Sequence, residues 1–232
     1  MELEQRFVLL RHGQSQWNLE NRFTGWTDVP LTEKGRREAH EAARSLSKAG
    51  FAFDTAFTSV LRRAADTLEI VLRELDQPEL PTQHAWQLNE RHYGCLQGLD
   101  KSETAERLGG PLVTYWRRSY SGKPPALELD DQRHPRFDHL YSEMDPNALP
   151  GGESLQETEE RLLPFWRSDI LPAILSGKKV LVVAHGNSLR ALVRYLEDIP
   201  FDQVPELTIP TGVPLFYTIS RDGAPVRRDE LR

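Results

Sequence analysis

The chain has one cysteine, Cys95, among 232 residues, which excludes an internal disulfide. With so little cysteine, a reducing cytoplasm is the default compartment. No apolar run approaches the ~20 residues of a membrane-spanning helix. The start, Met1-Glu2-Leu3-Glu4-Gln5-Arg6, has two acids and no apolar core, so a secretory signal is not expected. Basic residues are also in the minority, 29 Lys and Arg against 35 Asp and Glu, for a formal charge of −6. That balance argues against a nucleic-acid partner, which needs a basic face, and no membrane partner is expected either. It leaves room for a small anion held by a local group of arginines. The phosphate-binding patterns G-x-x-x-x-G-K-[ST] and G-x-G-x-x-G are missing, and so is the G-x-S-x-G elbow of serine hydrolases. His134 and His139 lie five apart with no cysteine near, and His40, His84 and His92 have no ligand spacing, so no metal is expected. There is no fixed-period repeat, no low-complexity run and no linker. The best parse is a single domain over 1–232.

What is present is 38% hydrophobic and 28% charged, a globular composition. Two stretches share one form. Phe7-Val8-Leu9-Leu10 stops at Arg11-His12-Gly13, and Val180-Leu181-Val182-Val183-Ala184 stops at His185-Gly186. Each reads as a buried strand that opens at its carboxyl end into a polar site. Residues 17–28 have aromatics and amides without a period, and read as an ordered loop. Thr32 caps a helix with the small-residue stripe Ala39, Ala42, Ala43 and Leu46. Phe53–Ser59 reads as a strand, followed by a helix from Leu61 through Leu75. Pro78 and Pro81 precede a short strand near His84-Ala85-Trp86. This β-α-β-α order predicts an α/β fold, a mainly parallel central sheet with helices on both faces.

Residues 100–150 differ. Ser102 is the expected cap of a short helix through Leu108, then come Tyr115-Trp116-Arg117-Arg118 and six prolines or glycines that break the chain. The stretch is too long for a structureless loop and reads as an inserted lid over the site; the alternative is a solvated insertion. Ser154-Leu155-Gln156-Glu157 is a capping box that opens a helix to about Leu175, kinked or interrupted at Pro164 and Pro172. A helix runs from Ser188 through Leu196, Leu215–Ile219 is the last strand, and the charged tail from Arg221 is expected to fray.

Imidazole is nucleophilic and mostly neutral near pH 7, so His12 is a candidate to attack phosphorus. Arg11 and Arg63 are candidates to hold phosphoryl oxygens, His185 to line an oxyanion site, and Glu90 to act as acid and base. Each residue has an ordinary reading as well: surface arginine, capping histidine, solvated carboxylate. Their co-occurrence in one α/β chain is what favours chemistry.

These residues resemble the histidine phosphatase superfamily, through Leu10-Arg11-His12-Gly13 and His185-Gly186. Arg22-Phe23-Thr24-Gly25-Trp26, Glu90-Arg91-His92-Tyr93-Gly94, Trp116-Arg117-Arg118 and Ala184–Arg190 bring the chain closer to the 2,3-bisphosphoglycerate-dependent phosphoglycerate mutases. The resemblance spans Phe7 to about Ile219. It implies that His12 is a phosphohistidine primed by 2,3-bisphosphoglycerate, and that Glu90 donates and accepts the proton. Arg11, Arg63 and His185 would surround the phosphoryl group, with Asn18 nearby. Thr24, Gly25, Tyr93, Lys101, Arg117, Arg118 and Asn187 would bind the glycerate carboxylate and second phosphate, together with Arg91, His92 and Gly186 of the same motifs. The implied reaction interconverts 3-phosphoglycerate and 2-phosphoglycerate without a metal, in a cytoplasmic enzyme, as a dimer if it oligomerises.

Two departures stand out. Gln14 occupies a position where many relatives carry Glu, and little effect is expected. Ser15 follows it, as in typical mutases. The chain stops at Arg232, whereas many relatives have a longer tail over the site, so raised leakage of phosphate to water is expected. Two rivals to the mutase are a phosphatase of the same superfamily acting on another small phosphate ester, and a scaffold without activity. The basic lid favours the mutase over the phosphatase, because a plain phosphatase needs only the first phosphate pocket.

Overall fold

Phe7–Leu10 has no polar side chain, so a strand built from it must be covered on both faces. The computed structural model, which describes residues 5–220 and 225–230, places it that way. Strand β1 (Gln5–Arg11) lies inside a six-stranded sheet. It runs parallel to β4 (Val180–Ala184) on one side and antiparallel to β5 (Pro214–Ile219) on the other. β2 (Thr55–Thr58) is parallel to β4 and to the edge strand β3 (Thr82–His84), and β6 (Pro225–Glu230) pairs antiparallel with β5. The order is β3-β2-β4-β1-β5-β6. The sheet is mainly parallel, as expected, with two antiparallel strands at one end.

The pleat sorts the buried side chains into two cores. Val8 and Leu10 join Leu181 and Val183 under α2 (Glu33–Lys48) and α3 (Arg62–Glu74), which supply Ala42, Ala43, Leu46, Ala64, Leu68 and Val71. Phe7 and Leu9 join Val180, Val182 and Ala184 on the other face. There α6 (Leu155–Phe165), α7 (Leu171–Leu175) and α8 (Gly186–Leu196) supply Leu162, Phe165, Ile174, Leu189 and Leu192. Helices therefore cover both faces. Among the described residues no helix is long and apolar enough to cross a membrane.

Several expected boundaries shift for physical reasons. The helix expected over 154–175 is three pieces, with a wider turn at Trp166–Ile170 between α6 and α7. Pro172 has no N–H to give and its ring crowds the carbonyl four residues back. The wider turn absorbs this: the Leu171 N–H bonds five residues back, to the Trp166 carbonyl. Asp100, not Ser102, caps α4 (Lys101–Leu108), because its carboxylate accepts the N–H groups of Ser102 and Glu103 at 2.7 and 2.9 Å. The strand expected at His84–Trp86 ends at His84, and Trp86–Leu88 is a single 3₁₀ turn. Part of the tail expected to fray is β6 instead; residues 221–224 and 231–232 lie outside the described residues.

The insertion packs against the rest of the chain in two places. α4 is followed directly by α5 (Gly110–Arg118), whose Val113 is buried against Phe23, Tyr93 and Leu96. Further on, Tyr141 and Leu149 close over Trp26.

Candidate active site

Parallel strands end on one edge of their sheet, and that edge is where α/β folds build sites. Arg11 is in register with Ala184, and Thr58 with Val183. The next residues, His12, His185 and Ser59, are therefore neighbours. The two imidazole centroids are 4.9 Å apart, edge to face, and Ser59 Oγ is 2.7 Å from His185 Nε2.

His12 Nδ1 lies 2.6 Å from the Gly13 carbonyl oxygen. A carbonyl only accepts, so Nδ1 carries the proton and Nε2 keeps its lone pair. Burial holds the imidazole well below its usual range, with Arg63 and Arg11 adding to the effect. His12 is thus neutral, with one nitrogen committed as donor and the other basic. Gly13 is required by its surroundings: a Cβ there would lie 2.1 Å from the Gly35 carbonyl oxygen in the first turn of α2. The backbone at Gly13 thus comes close to α2.

Arginines bracket the pair. Arg11 donates to the Ile209 carbonyl at 2.7 Å and lies against Gly186, where a Cβ would come within 3.2 Å of its Cζ. Among the described residues its Nε has no hydrogen-bond partner. Arg63, in the first turn of α3, donates to the Gly25 and Thr27 carbonyls at 2.7 and 2.9 Å and so holds the 24–27 loop. Burial pushes its guanidinium down to about 10, against the opposing pull of Glu90 and Asp28. Burial likewise lowers Arg11 and, well below its usual range, His185.

Glu90 is set by backbone donors. Its Oε1 accepts the N–H groups of Arg91 and Asn187 at 2.8 and 2.9 Å. Its carbonyl accepts Trp26 Nε1 at 2.6 Å and an Arg161 nitrogen at 2.9 Å. Arg161 also takes the carbonyls of Gln87 and Asn89, and is paired with Glu153, whose other oxygen accepts the His92 N–H. Two amides are oriented by similar reasoning. Asn18 Oδ1 accepts from the Ser15 N–H in a capping box at α1 (Gln16–Leu19), so its NH₂ is the free end. Asn187 Oδ1 accepts from Arg190, so its NH₂ faces the Tyr93 hydroxyl at 3.4 Å. Burial works to raise the Tyr93 phenol, but Arg91 beside it wins and the net shift is downward.

These groups surround a cavity of about 210 Å³. Arg11, Asn18, Thr24, Gly25, Glu90, Tyr93, Lys101, Arg117, Arg118, Gly186 and Asn187 line it, all expected from the sequence. His12, Arg63 and His185 are not among the lining residues, and all three are buried, His12 at 2% exposure. Arg91 and His92 depart from expectation. Both are fully buried and neither lines the cavity. Arg91 turns to Tyr93 and the Arg117 carbonyl, and His92 Nδ1 accepts the Gly94 N–H while its ring packs on Trp26. Arg22, Arg190, Thr208 and Ile209 line the cavity without having been given a binding role, and the supports Ser59, Arg161 and Glu153 behind it were not singled out either. The available signal for Arg190 was a lone arginine inside the otherwise apolar run Leu189–Val193.

Among the described residues Glu90 is the one carboxylate on a wall that carries Arg11, Arg22, Lys101, Arg117, Arg118 and Arg190. Six cations against one carboxylate give the wall a strongly positive potential. Among the described residues, no three or more His, Cys, Asp and Glu side chains are grouped to hold a metal ion.

A sequence profile of the histidine phosphatase superfamily (branch 1) matches residues 7–144 and 126–226. The chain belongs to the histidine phosphatase superfamily. Solved structures of similar proteins include a mycobacterial glucosyl-3-phosphoglycerate phosphatase in complex with VO₃, at 26% identity and TM-score 0.70 over 97% of this chain and 98% of that one. A protein of Bacillus stearothermophilus, YhfR, is 26% identical with TM-score 0.71 over 95% and 94% of the two chains. An Escherichia coli protein described as a putative alpha-ribazole-5'-P phosphatase shares the fold, at 22% identity and TM-score 0.73 over 98% and 96%. In this superfamily fold the α/β architecture expected from the sequence is the one observed.

Proposed function

We propose that the chain is a phosphatase that forms a phosphohistidine on His12 and acts on a small phosphate ester carrying a second anionic group. The observation that carries this reading is the state of His12: a neutral ring with Nδ1 committed to Gly13 and Nε2 basic, between Arg11 and Arg63. Nε2 attacks phosphorus, the N–P bond forms and the ester P–O bond breaks. Arg11, Arg63 and the Asn18 NH₂ meet the equatorial oxygens, with His185 beside them. Glu90, as the carboxylic acid, protonates the leaving oxygen. As the carboxylate it then takes a proton from water, whose oxygen attacks phosphorus. The N–P bond breaks, phosphate leaves, and His12 returns to its starting tautomer.

Hydrolysis, not isomerisation, is supported by the similar protein whose name is a phosphatase at 26% identity. The second anionic group is supported by Lys101, Arg117, Arg118 and Arg22 on the wall beyond Glu90. The same cations favour one other reading, the mutase. For that reaction 2,3-bisphosphoglycerate would meet Arg11 and Asn18 with one end and Lys101, Arg117 and Arg118 with the other, and would supply the phosphoryl group that primes His12. The cation set fits such a ligand in charge.

Release of phosphate from 3-phosphoglycerate and from p-nitrophenyl phosphate, measured beside an enolase-coupled isomerisation assay, tests the proposal. Phosphate release that outruns isomerisation, with or without 2,3-bisphosphoglycerate, is the expected result. Isomerisation that is faster and depends on the bisphosphate would overturn it in favour of the mutase.

A further inference from the structure

An α-helix leaves its last carbonyls without partners inside the helix. In α5 the Tyr115 carbonyl is taken by the Ser119 N–H at 3.1 Å. The carbonyls of Arg117 and Arg118 meet two buried guanidiniums instead. Arg91 donates to the Arg117 carbonyl at 2.9 Å. Arg190 donates to the Arg117 carbonyl at 3.4 Å and to the Arg118 carbonyl at 3.0 Å. It also reaches the Val204 carbonyl at 2.8 Å and Asn187 Oδ1 at 2.9 Å. One planar group therefore ties the end of α5 to α8 and to the segment at Val204.

This arrangement is costly. The buried ion pairs of the described residues are Arg161–Glu153 and Arg194–Glu159, and neither Arg91 nor Arg190 belongs to one. Burial pushes Arg190 down to about 10, and Arg91 and Arg118 add to the shift. The negative end of the α5 dipole offsets part of that cost, because both cations sit at the helix C-terminus. Apolar side chains would fill the same space at less expense. What they would not supply is a rigid fork that sets where two carbonyls, and so two consecutive side chains, must lie.

We propose that Arg190, backed by Arg91, is a positioning residue that fixes the end of α5 so that Arg117 and Arg118 stay on the cavity wall. The inference rests on the reading that the cavity takes a ligand with a second anionic group. Lys101 reaches the wall from the start of α4 and Arg22 from the loop after α1, so neither depends on this clamp. Arg190 itself lines the cavity, but its terminal nitrogens are taken by these acceptors, so its loss removes its own charge from the wall, frees Arg117 and Arg118, and leaves the His12 end intact.

The test uses the full chain with Arg190→Met, which keeps the stem and removes the fork, and Arg190→Lys, which keeps one charge. Amide hydrogen exchange over 110–118 reads the clamp directly. Exchange about tenfold faster in Arg190→Met, with β1 and β4 unchanged, is expected of a local opening. Calorimetry with 3-phosphoglycerate and with glycerol 3-phosphate, which lacks the carboxylate, reads the consequence. Affinity for the first is expected to fall about tenfold and for the second less than about twofold, with Arg190→Lys in between. In an Arg117→Ala/Arg118→Ala background, Arg190→Met is expected to lower neither affinity by more than about twofold, because sites that act through one another are not additive.

Unchanged exchange in α5 would overturn the clamp. So would an equal loss for both ligands, or a loss that persists in the double-alanine background, which would mean that Arg190 touches the ligand itself. If Arg190→Met does not fold, Arg190→Lys decides by the same readings. Wild-type protein that binds both ligands equally would instead refute the second-anion reading, and the exchange measurement would still judge the clamp.

Discussion

Four histidines are buried here, His12 and His134 at 2% exposure and His92 and His185 at 0%, and burial acts most strongly on His12, His92 and His185. His92 shows the constraint most clearly. Its Nδ1 accepts the Gly94 N–H at 3.0 Å, so a proton on that nitrogen would face another N–H. Burial, aided by His134 and Arg161, pushes His92 down to about 3, while burial and the arginines hold His12 and His185 well below 6.5. In the unfolded chain each imidazole takes a proton near pH 6.5. Above that pH neither state is protonated and these groups do not affect stability. Below it the unfolded chain binds protons that the native fold refuses, so stability falls as pH falls, by about 1.4 kcal/mol per pH unit for each histidine. At pH 5 the loss is about 2 kcal/mol for His92, against a typical total of ~5–15 kcal/mol, and His12 and His185 act in the same direction. His92→Gln replaces the acceptor by an amide oxygen and removes one titration. Urea unfolding at steps from pH 7 to pH 5 should show the variant losing about 2 kcal/mol less than wild type over that range. Carboxylates elsewhere act on both proteins equally and cancel in the difference. Parallel stability curves for the two proteins would refute the reasoning.

Other changes have equally definite outcomes. His12→Ala should abolish acid-labile phosphoprotein and lower turnover by at least ~10³-fold with folding intact, as read by labelling with a radioactive phosphate ester; retained labelling would mean another nucleophile. Arg161→Met leaves Glu153 buried without its partner and should cost about 3–5 kcal/mol in urea unfolding, with a larger fall in kcat than in affinity because the Glu90 loop loses its anchor. Gly13→Ala puts a Cβ 2.1 Å from the Gly35 carbonyl oxygen and should lower Tm sharply, whereas Gly110→Ala, whose Cβ would meet open space, should not. Vanadate or phosphate, which neutralises the uncompensated cations of the cavity, should raise Tm as its concentration rises.

Much of the site could be read from the chain because its chemistry lies at strand ends. Two apolar runs that each break at His-Gly give two buried strands, and parallel neighbours must end side by side. Arg63 needed more than a pattern. Arg62 beside it has the same chemistry, and only the helix phase of α3 turns Arg63 inward to the Gly25 carbonyl. Arg91 and His92 adjoin Glu90 in sequence, yet the backbone carries their side chains behind the wall while Tyr93 reaches it. Arg190 and Arg161 were passed over because each serves backbone carbonyls distant in sequence, 72 and 71 positions away for Arg118 and Glu90, and no local pattern marks such an acceptor.

The sequence by itself determined the α/β alternation, the two strand-end histidines and the capping box at Ser154, since each is written in runs and spacings of neighbouring residues, and it pointed to the superfamily by the resemblance of its motifs. Only the tertiary structure decided the tautomer of His12, the orientation of the Asn18 and Asn187 amides, and which arginines face the cavity and which hold its frame. Those are settled by register between strands and by which buried donor meets which acceptor, and both join residues that are far apart in the chain.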